Sequence, residues 1–445
     1  MIQVVNLGYK YRLYPDNAQK QLLNHQMFVS NQAYNICLNL WQKEQEKNKK
    51  LPKEERKYRT ATSYDAVVKR VLQRRKISFK TVVTQQARMN FFKAVAKAFS
   101  EETVAEREQA IKNAQTQKEM AKALKLGFPK FHSSKDAHQS FSWNNQGHTI
   151  LEGTQKFQTL RIMSKNIKFR NHRKLPDNYK MSFITISRDA HQYFVSFNIA
   201  FEKEIGLAVS SENLDISKSI GIDLNVENFA VSSPMNLLMN NIAEVKDNHL
   251  ILNGSKNRRG LRYAKAIKVL ERKQSRRVLK AQQKKIKLGK NHRKIQNKLN
   301  KLTKRLSNQK EDLYHKISTT LTNEFELIVV EDLKLKNQMT KSAKGNEIVH
   351  GKKVQQKAGL NRSLLSASFY QFVSMIQYKQ TMLHDKLFVK VNPQYTSQEC
   401  SQCGNRDKAN RPKQDRFECT RCGYKINPDL QASQTILKRG FEKVA

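Results

Sequence analysis

The sequence predicts a multidomain α+β protein in which a helical block is inserted into a small β-barrel, followed by a separate α/β unit. Residues 2–14 alternate like a strand, but the apolar residues of 16–126 recur at helical spacing. Short strand-like runs return only later, within 157–201. Since an isolated strand leaves its backbone groups unpaired, we expect 1–15 and 127–215 to form one barrel.

The helical block itself divides into three predicted helices. Apolar positions at helical spacing begin after Asn17, recur at 63–76 and continue from about 80 to 125. The basic stretch 43–58 is predicted to be a solvated linker between the first two helices. Periodicity alone is equally compatible with a plain helical bundle.

Three carboxylates stand out in the α/β unit. Asp223 lies within the apolar strand GIDLNV, Glu331 ends the apolar run LIVVE, and Asp429 precedes an apolar helical segment. An acid in a buried strand is costly unless it is paired or bound to a metal, although either strand acid alone could cap a turn or meet a lysine. If the three converge, they can hold two Mg²⁺ or Mn²⁺ ions of the kind that promote phosphodiester cleavage.

The cysteine spacing predicts a structural zinc site. Four of the five cysteines form two Cys-x-x-Cys pairs, Cys400 with Cys403 and Cys419 with Cys422. Two such pairs can surround one zinc ion with four thiolates, and unrelated buried thiols rarely show this arrangement. The fifth, Cys37, lies in an apolar helical context and is predicted to be a buried small hydrophobe.

The charge of the chain predicts a polyanionic partner. The 83 Lys and Arg exceed the 38 Asp and Glu, which gives a formal net charge of +45. A membrane surface is the other candidate polyanion, but no apolar run reaches transmembrane length and the N-terminal residues lack the apolar core of a signal peptide. We therefore expect a cytoplasmic protein that binds nucleic acid and no membrane.

The most basic segment, 256–310, contains 22 Lys and Arg and a single acid, Glu271. Its apolar spacing predicts two helices with a bend near Gly289, and its charge predicts contact with a nucleic-acid backbone rather than an ordinary solvated face. The candidate contacts here are Arg276, Arg277, Lys284, Lys285, Arg293 and Arg305. Lys80, Thr84 and Gln85 in the helical block are further candidates, with ordinary exposed polar residues an equal alternative.

The order of these features resembles the TnpB family, the OrfB-type proteins of small bacterial insertion sequences, which are relatives of type V CRISPR effectors. The resemblance rests on GIDLNVENFAVSS, the basic hairpin, IVVEDL, YTSQECSQCG, FECTRCG and the aspartate that follows. The N-terminal YRLYPDNAQKQLL and the segment LSASFYQFVSMIQYK are also similar to family sequences. The resemblance covers nearly the whole chain.

This resemblance implies an RNA-guided DNA endonuclease with a RuvC-like, RNase H-type core that would include 216–392 and 426–445. Asp223, Glu331 and Asp429 fall on its three metal-binding acids, and the zinc ribbon 393–425 is inserted before the third. The barrel would be the wedge domain and 16–126 the recognition domain. The implied partners are a guide RNA from the transposon end and a double-stranded DNA target carrying a short adjacent motif. A single chain would act on each RNA.

The sequence departs from the family pattern next to the third acid. The usual Asp-x-Asn-Ala-Ala is here DLQAS, beginning at Asp429, and Pro428 precedes it. In the first motif Asn225 stands where many relatives carry glycine. No acid is lost, so we expect activity to persist. The alternatives are a nuclease-inactive, RNA-guided DNA-binding repressor and a transposase that joins DNA strands.

Overall fold

The computed structural model describes two compact units. One comprises Val4–Lys203 and the other Glu204–Ala445 with Met1–Gln3. The residues described are 2–114, 116–134, 136–144, 148–154, 156–204, 214–225, 228–232, 244–246, 248–251, 258–333, 361, 368–383, 386–413 and 415–444. In this part of the chain no helix is long and apolar enough to cross a membrane.

The first unit contains a seven-stranded sheet. Its strands are β1 (Ile2–Leu13), β2 (His138–Asn144), β3 (His148–Leu151), β4 (Phe157–Ile162), β5 (Lys165–Arg170), β6 (Lys180–Asp189) and β7 (Gln192–Glu204), in the order β2-β6-β7-β1-β5-β4-β3. The prediction that the N-terminal strand joins the later strands is confirmed, because β1 lies between β7 and β5 and pairs Leu13 with Phe169. Closure of this sheet into a barrel stays a prediction.

The helices of this unit are inserted between β1 and β2. They are α1 (Asn17–Asn48), α2 (Ala61–Arg74), α3 (Thr81–Ala98), α4 (Glu101–Lys112) and α5 (Gln117–Ala123). Asp16 caps α1, since its side chain accepts a hydrogen bond from Gln19 N while Gln19 Oε1 accepts one from Asp16 N. The rings of Tyr34 on α1 and Phe91 on α3 meet edge to face at 5.6 Å in the core.

Two expectations for the helical block are wrong. The segment from about 80 to 125 forms three helices rather than one, because Ser100 and Thr116 adopt extended backbone and begin α4 and α5 as their N-caps. The linker expected at 43–58 starts later, since α1 continues to Asn48. The side chain of Asn48 donates to Lys57 O, which holds the shorter linker against the helix end.

The second unit has a mixed six-stranded sheet. Its strands are β8 (Ser219–Leu224), β9 (Asn228–Val231), β10 (Glu244–Lys246), β11 (His249–Ile251), β12 (Leu327–Glu331) and β13 (Leu387–Val391), in the order β10-β11-β9-β8-β12-β13. Strand β12 runs parallel to both β8 and β13, whereas the other pairs are antiparallel. All residues of β12 are buried, as expected for a central parallel strand.

The helices of this unit are α6 (Arg258–Gln283), α7 (Lys290–Glu324), α8 (Phe369–Tyr378), which continues into a π-helical turn (Lys379–Leu383), and α9 (Pro428–Val444). Three of them, α7, α8 and α9, cover the two faces of the sheet. Helices α7 and α8 pack on the face that contains Ile222 and Val330, where Tyr314 and Phe372 are buried. Helix α9 packs Ile436 on the opposite face, so the second unit is a three-layer α/β arrangement.

Helix α9 approaches the sheet closely at two glycines. A Cβ at Gly221 in β8 would clash with the backbone oxygen of Ser433, and a Cβ at Gly440 in α9 would clash with the side chain of Val329 in β12. The absence of a side chain at both positions therefore sets the distance between α9 and the centre of the sheet.

Gly221→Ala is expected to destabilise the second unit by about 1–3 kcal/mol, because its new methyl group must displace the α9 backbone. The measurement is the melting temperature of the full chain. Gly8→Ala is the matched control, since Gly8 is also a strand glycine and a Cβ there would lie 3.8 Å from Asn198 Oδ1, an ordinary contact. Equal melting temperatures for both variants and the native protein would contradict the close approach.

Candidate functional site

The strand acids lie at the carboxyl ends of two neighbouring parallel strands. Asp223 is the fifth residue of β8 and Glu331 is the last residue of β12. The register pairs Val330 with Ile222, so the next residue on each strand places Glu331 beside Asp223. Adjacent strands are about 4.8 Å apart, and two carboxylates in this register therefore repel each other when both are charged.

The third acid reaches the same place from a helix. Asp429 lies in the first turn of α9, where its backbone N–H donates to Asn427 Oδ1. Burial raises the pKa of Asp223 to about 7, and the negative charges of Glu331 and then Asp429 act in the same direction. The structure thus brings together all three carboxylates that the sequence singles out, across two strands and a helix.

Polar side chains hold two of these carboxylates in position. Asn225 Nδ2 donates to Asp223 Oδ2 at 3.1 Å, and the hydroxyl of Thr396 donates to Glu331 Oε1 at 2.6 Å. Burial raises the pKa of Glu331, while the Thr396 hydrogen bond and the charge of Arg439 oppose that rise. Asn225, a departure from the family pattern, is therefore a direct partner of the first acid.

His249 is a neighbour of the site that the sequence reasoning missed. It pairs with Ala230 on β9, and Ala230 pairs in turn with Asp223 on β8. Its Nε2 lies 3.9 Å from Asp429 Oδ2. The short hairpin of β10 and β11 carries no clear strand pattern, so only the three-dimensional pairing reveals this histidine.

The donor set of the three acids fits hard divalent cations. Their oxygens form a partly buried cluster of like charge, which Mg²⁺ or Mn²⁺ would stabilise. Among the described residues, the four cysteines form a group whose ligand atoms all lie within 4.8 Å of one another. The oxygens of the three carboxylates are spread more widely than that. A wider spread is compatible with two ions, which lie about 3.5–4 Å apart in such sites.

The four cysteines have the arrangement expected of a tetrahedral thiolate site. Cys400 Sγ lies 3.7 Å from Cys422 Sγ, and Cys403 Sγ lies 3.5 Å from Cys419 Sγ. Zinc–sulfur bonds of ~2.3 Å in a tetrahedron place sulfurs about 3.8 Å apart. Burial disfavours the Cys419 thiolate, but the backbone N–H groups of Cys422 and Arg421 outweigh this and lower its pKa. The cluster therefore fits zinc.

Hydrogen bonds connect the cysteine segment to α9. The carboxylate of Glu399 accepts from Arg406 at 2.9 Å and from Arg439 at 2.6 Å, and its backbone oxygen accepts from the side chains of Gln431 and Thr435. Arg439 also donates to the backbone oxygens of the segment that precedes Thr396. The cysteine segment consequently fixes both α9 and the threonine that contacts Glu331.

The predicted nucleic-acid contacts lie mostly on exposed surface. Arg276 and Arg277 are on α6, Lys284 and Lys285 are in the turn after it, and Arg293 and Arg305 are on α7. All six side chains are exposed, as are Lys80 and Gln85 at the start of α3. Thr84 differs from these, because it is buried and its hydroxyl donates to Thr81 O at 2.9 Å. Contact with nucleic acid stays a prediction for these residues.

Three family models match the chain in order. A model described as "Helix-turn-helix domain" matches residues 1–50, one described as "Probable transposase" matches 203–342, and one described as "Cas12f1-like, TNB domain" matches 369–436. The first of these matches contains β1 and the long helix α1. The last model spans the four cysteines and Asp429. In these three segments the chain is similar to the TnpB family of OrfB-type proteins.

Curated relatives match parts of the chain. A putative RNA-guided DNA endonuclease of Escherichia coli K12, InsQ, is 36% identical over 36% of this chain and 40% of its own length. A CRISPR-associated endodeoxyribonuclease, Cas12f1 of Sulfoacidibacillus thermotolerans, is 39% identical over 19% of this chain and 20% of its own length. These matches thus span well under two thirds of either relative.

Longer but more distant matches also occur. A putative RNA-guided DNA endonuclease of Streptomyces pristinaespiralis is 24% identical over 99% of this chain and 91% of its own length. Among solved structures, a Cas12f1–sgRNA–target DNA complex matches with a TM-score of 0.45 and 13% identity, over 97% of this chain and 98% of that one.

The stability of the metal-free protein is expected to fall as pH rises between about 4 and 7. The pKa of Asp223 is raised to about 7 in the fold, so the folded state binds more protons than the unfolded state throughout that window. Mg²⁺ should therefore raise the melting temperature more at pH 8 than at pH 5, and Asp223→Asn should remove the difference.

Asp312→Asn is the control for this measurement. Asp312 is an exposed carboxylate on α7 that pairs with Lys316 at 2.7 Å. Its loss should leave the pH-dependent effect of Mg²⁺ intact. If Mg²⁺ stabilises the native protein equally at both pH values, the acids do not form the proposed cation site.

Cys403→Ser is expected to lower the zinc content of the purified protein and its melting temperature, because three thiolates bind zinc less tightly than four. Elemental analysis by mass spectrometry measures the zinc. Cys37→Ala should keep its zinc, since Cys37 is buried in the other unit. Unchanged zinc in Cys403→Ser would contradict the four-thiolate site.

Proposed function

We propose that this protein is an RNA-guided DNA endonuclease that hydrolyses phosphodiester bonds with two divalent metal ions. The observation that carries the proposal is the convergence of Asp223, Glu331 and Asp429 on the carboxyl ends of β8 and β12 and the start of α9. Similarity to the TnpB family and the names of the relatives InsQ and Cas12f1 support it.

The second unit supports a RuvC-like, RNase H-type assignment of the nuclease core. Such a core needs acids at the end of parallel strands and a helix packed on the same sheet, and β8, β12 and α9 supply these parts. In this proposal the nuclease domain comprises 216–392 and 426–445, and 393–425 is an inserted zinc ribbon. The ribbon braces the site through the contacts of Glu399 with Arg439 and Gln431.

The three acids would hold Mg²⁺ or Mn²⁺, which activates a water molecule and stabilises the leaving oxygen when bound. Asn225 and Thr396 donate hydrogen bonds to the carboxylates of Asp223 and Glu331. These bonds limit the orientations in which the two carboxylates could bind a metal ion. Arg411 favours the charged form of Asp223, and Arg439 favours that of Glu331. These residues therefore offset part of the effect of burial, while the pKa of both acids stays raised in the metal-free protein.

The proposed substrate follows from charge and from the relatives. An excess of 45 positive charges attracts nucleic acid, and the exposed cations of α6 and α7 offer contacts for a phosphate backbone. We assign the guide RNA to this hairpin and to the barrel of 1–15 and 127–215. The helical domain 16–126, together with the barrel, would read a short motif beside the DNA target. One chain acts on each guide RNA.

The test is cleavage of a matching DNA duplex by the protein with its co-purified RNA and Mg²⁺, across a library of adjacent motifs. Asp223→Ala, Glu331→Gln and Asp429→Ala should each reduce cleavage to background, because each removes a metal ligand, and should leave RNA affinity nearly unchanged. Asp312→Asn, which removes an exposed acid on α7, should cut like the native protein.

Sequencing of the co-purified RNA and analysis of the DNA products separate the alternatives. Guide-directed binding without cleavage by the native protein would favour a nuclease-inactive repressor. Ligated products would favour a strand-joining transposase. Loss of RNA binding in the acid variants would mean that these carboxylates serve the fold rather than the chemistry.

A further inference from the structure

A cavity of about 510 Å³ lies at the turn between α6 and α7, and none of the three acids lines it. Its walls come from the last turns of α6, the connecting residues 284–289 and the first turn of α7. Small-ligand sites typically enclose about 300–1,000 Å³, so the cavity is large enough for a single nucleotide.

Two large apolar side chains line this open cavity within an otherwise highly charged hairpin. Ile286 is 59% exposed and Leu288 is 46% exposed, and both line the cavity beside buried Ala281. Two large aliphatic side chains held in water at the tip of a basic hairpin gain free energy when an apolar surface covers them.

The rim of the cavity is cationic. Arg277 and Lys280 come from α6, Lys287 comes from the connection, and Lys290 and Lys294 come from α7. The N-cap of α7, Gly289, makes no side-chain capping hydrogen bond, and the first turn of α7 contains no acid. The positive end of the α7 dipole therefore adds to the five side-chain charges and favours an anion.

A histidine completes the wall. The Nδ1 atom of His292 is shielded from solvent and has no hydrogen-bond partner in the part of the chain that the structure describes. A buried nitrogen without a partner costs free energy, so His292 contributes an unsatisfied polar atom beside the cavity.

We propose that this cavity binds one unpaired nucleotide of an RNA, with the base on Ile286 and Leu288 and the flanking phosphates on the cationic rim. Duplexes present phosphates but keep the faces of their bases stacked, whereas bulges and loops of RNA extrude bases that can cover an apolar surface. This inference rests on the proposed function, because it names the feature of the guide RNA that the basic hairpin recognises.

The probe is a short RNA hairpin with a single 2-aminopurine bulge, compared with the same hairpin fully paired. The full-length protein, stripped of co-purified RNA, is titrated with each in the absence of divalent cations. The native protein should bind the bulged RNA about tenfold more tightly, which corresponds to roughly 1.4 kcal/mol. The 2-aminopurine fluorescence should change on binding as the base leaves the RNA stack.

The double variant Ile286→Ser/Leu288→Ser should abolish this preference and the fluorescence change, while affinity for the paired hairpin stays the same. Leu279→Ser is the matched control, since Leu279 is 57% exposed on α6 and does not line the cavity. It should keep the preference. The double variant Lys287→Gln/Lys290→Gln should weaken binding of the bulged RNA more than binding of the paired RNA, because both cations line the cavity.

Equal affinity of the native protein for the two hairpins would overturn the proposal. An equal loss of the preference for the bulged hairpin in the Leu279→Ser and Ile286→Ser/Leu288→Ser variants would also overturn it. Equal binding of a DNA hairpin with the same bulge would overturn the assignment to RNA. Cleavage is measured separately, so a protein that binds the bulge but cuts no DNA would refute the nuclease proposal and leave the cavity assignment standing.

Discussion

The close packing of α9 on the central strands is the constraint on which the candidate site depends. Gly221 and Gly440 allow the helix backbone to lie against β8 and the side chain of Val329. A helix held at this distance carries Asp429 to the carboxyl ends of β8 and β12, where Asp223 and Glu331 already lie. Two glycines thus allow three carboxylates from two strands and a helix to lie together.

Hydrogen bonds between the cysteine segment and α9 reinforce that packing. Arg439, on α9, joins the Glu399 carboxylate to the backbone oxygens of Asn392 and Gln394. Between those residues and Glu399 lies Thr396, whose hydroxyl contacts Glu331. The two Cys-x-x-Cys pairs are the most specific pattern in the sequence. Their segment therefore helps to orient the Glu331 carboxylate, which lies outside the pairs.

Sequence patterns predicted the parts that depend on local chemistry. The apolar strands around Asp223 and Glu331, the cysteine pairs and the return of β1 to a later sheet could all be read from period and spacing. His249 could not, because its place beside Asp429 depends on two successive strand pairings. The breaks at Ser100 and Thr116 were missed because α4 buries none of its residues, so its apolar spacing reflects no core.

The positions of the acids along the chain also determine the order in which the three carboxylates are synthesised. A ribosome delivers Asp223 first, Glu331 next and Asp429 last, after the cysteine segment has emerged. The basic hairpin of α6 and α7 precedes Glu331, so a nascent chain exposes its cationic surface to polyanions while its third acid is still missing. Translation therefore completes the basic hairpin before the third carboxylate is made, and a chain released early would have the hairpin without Asp429.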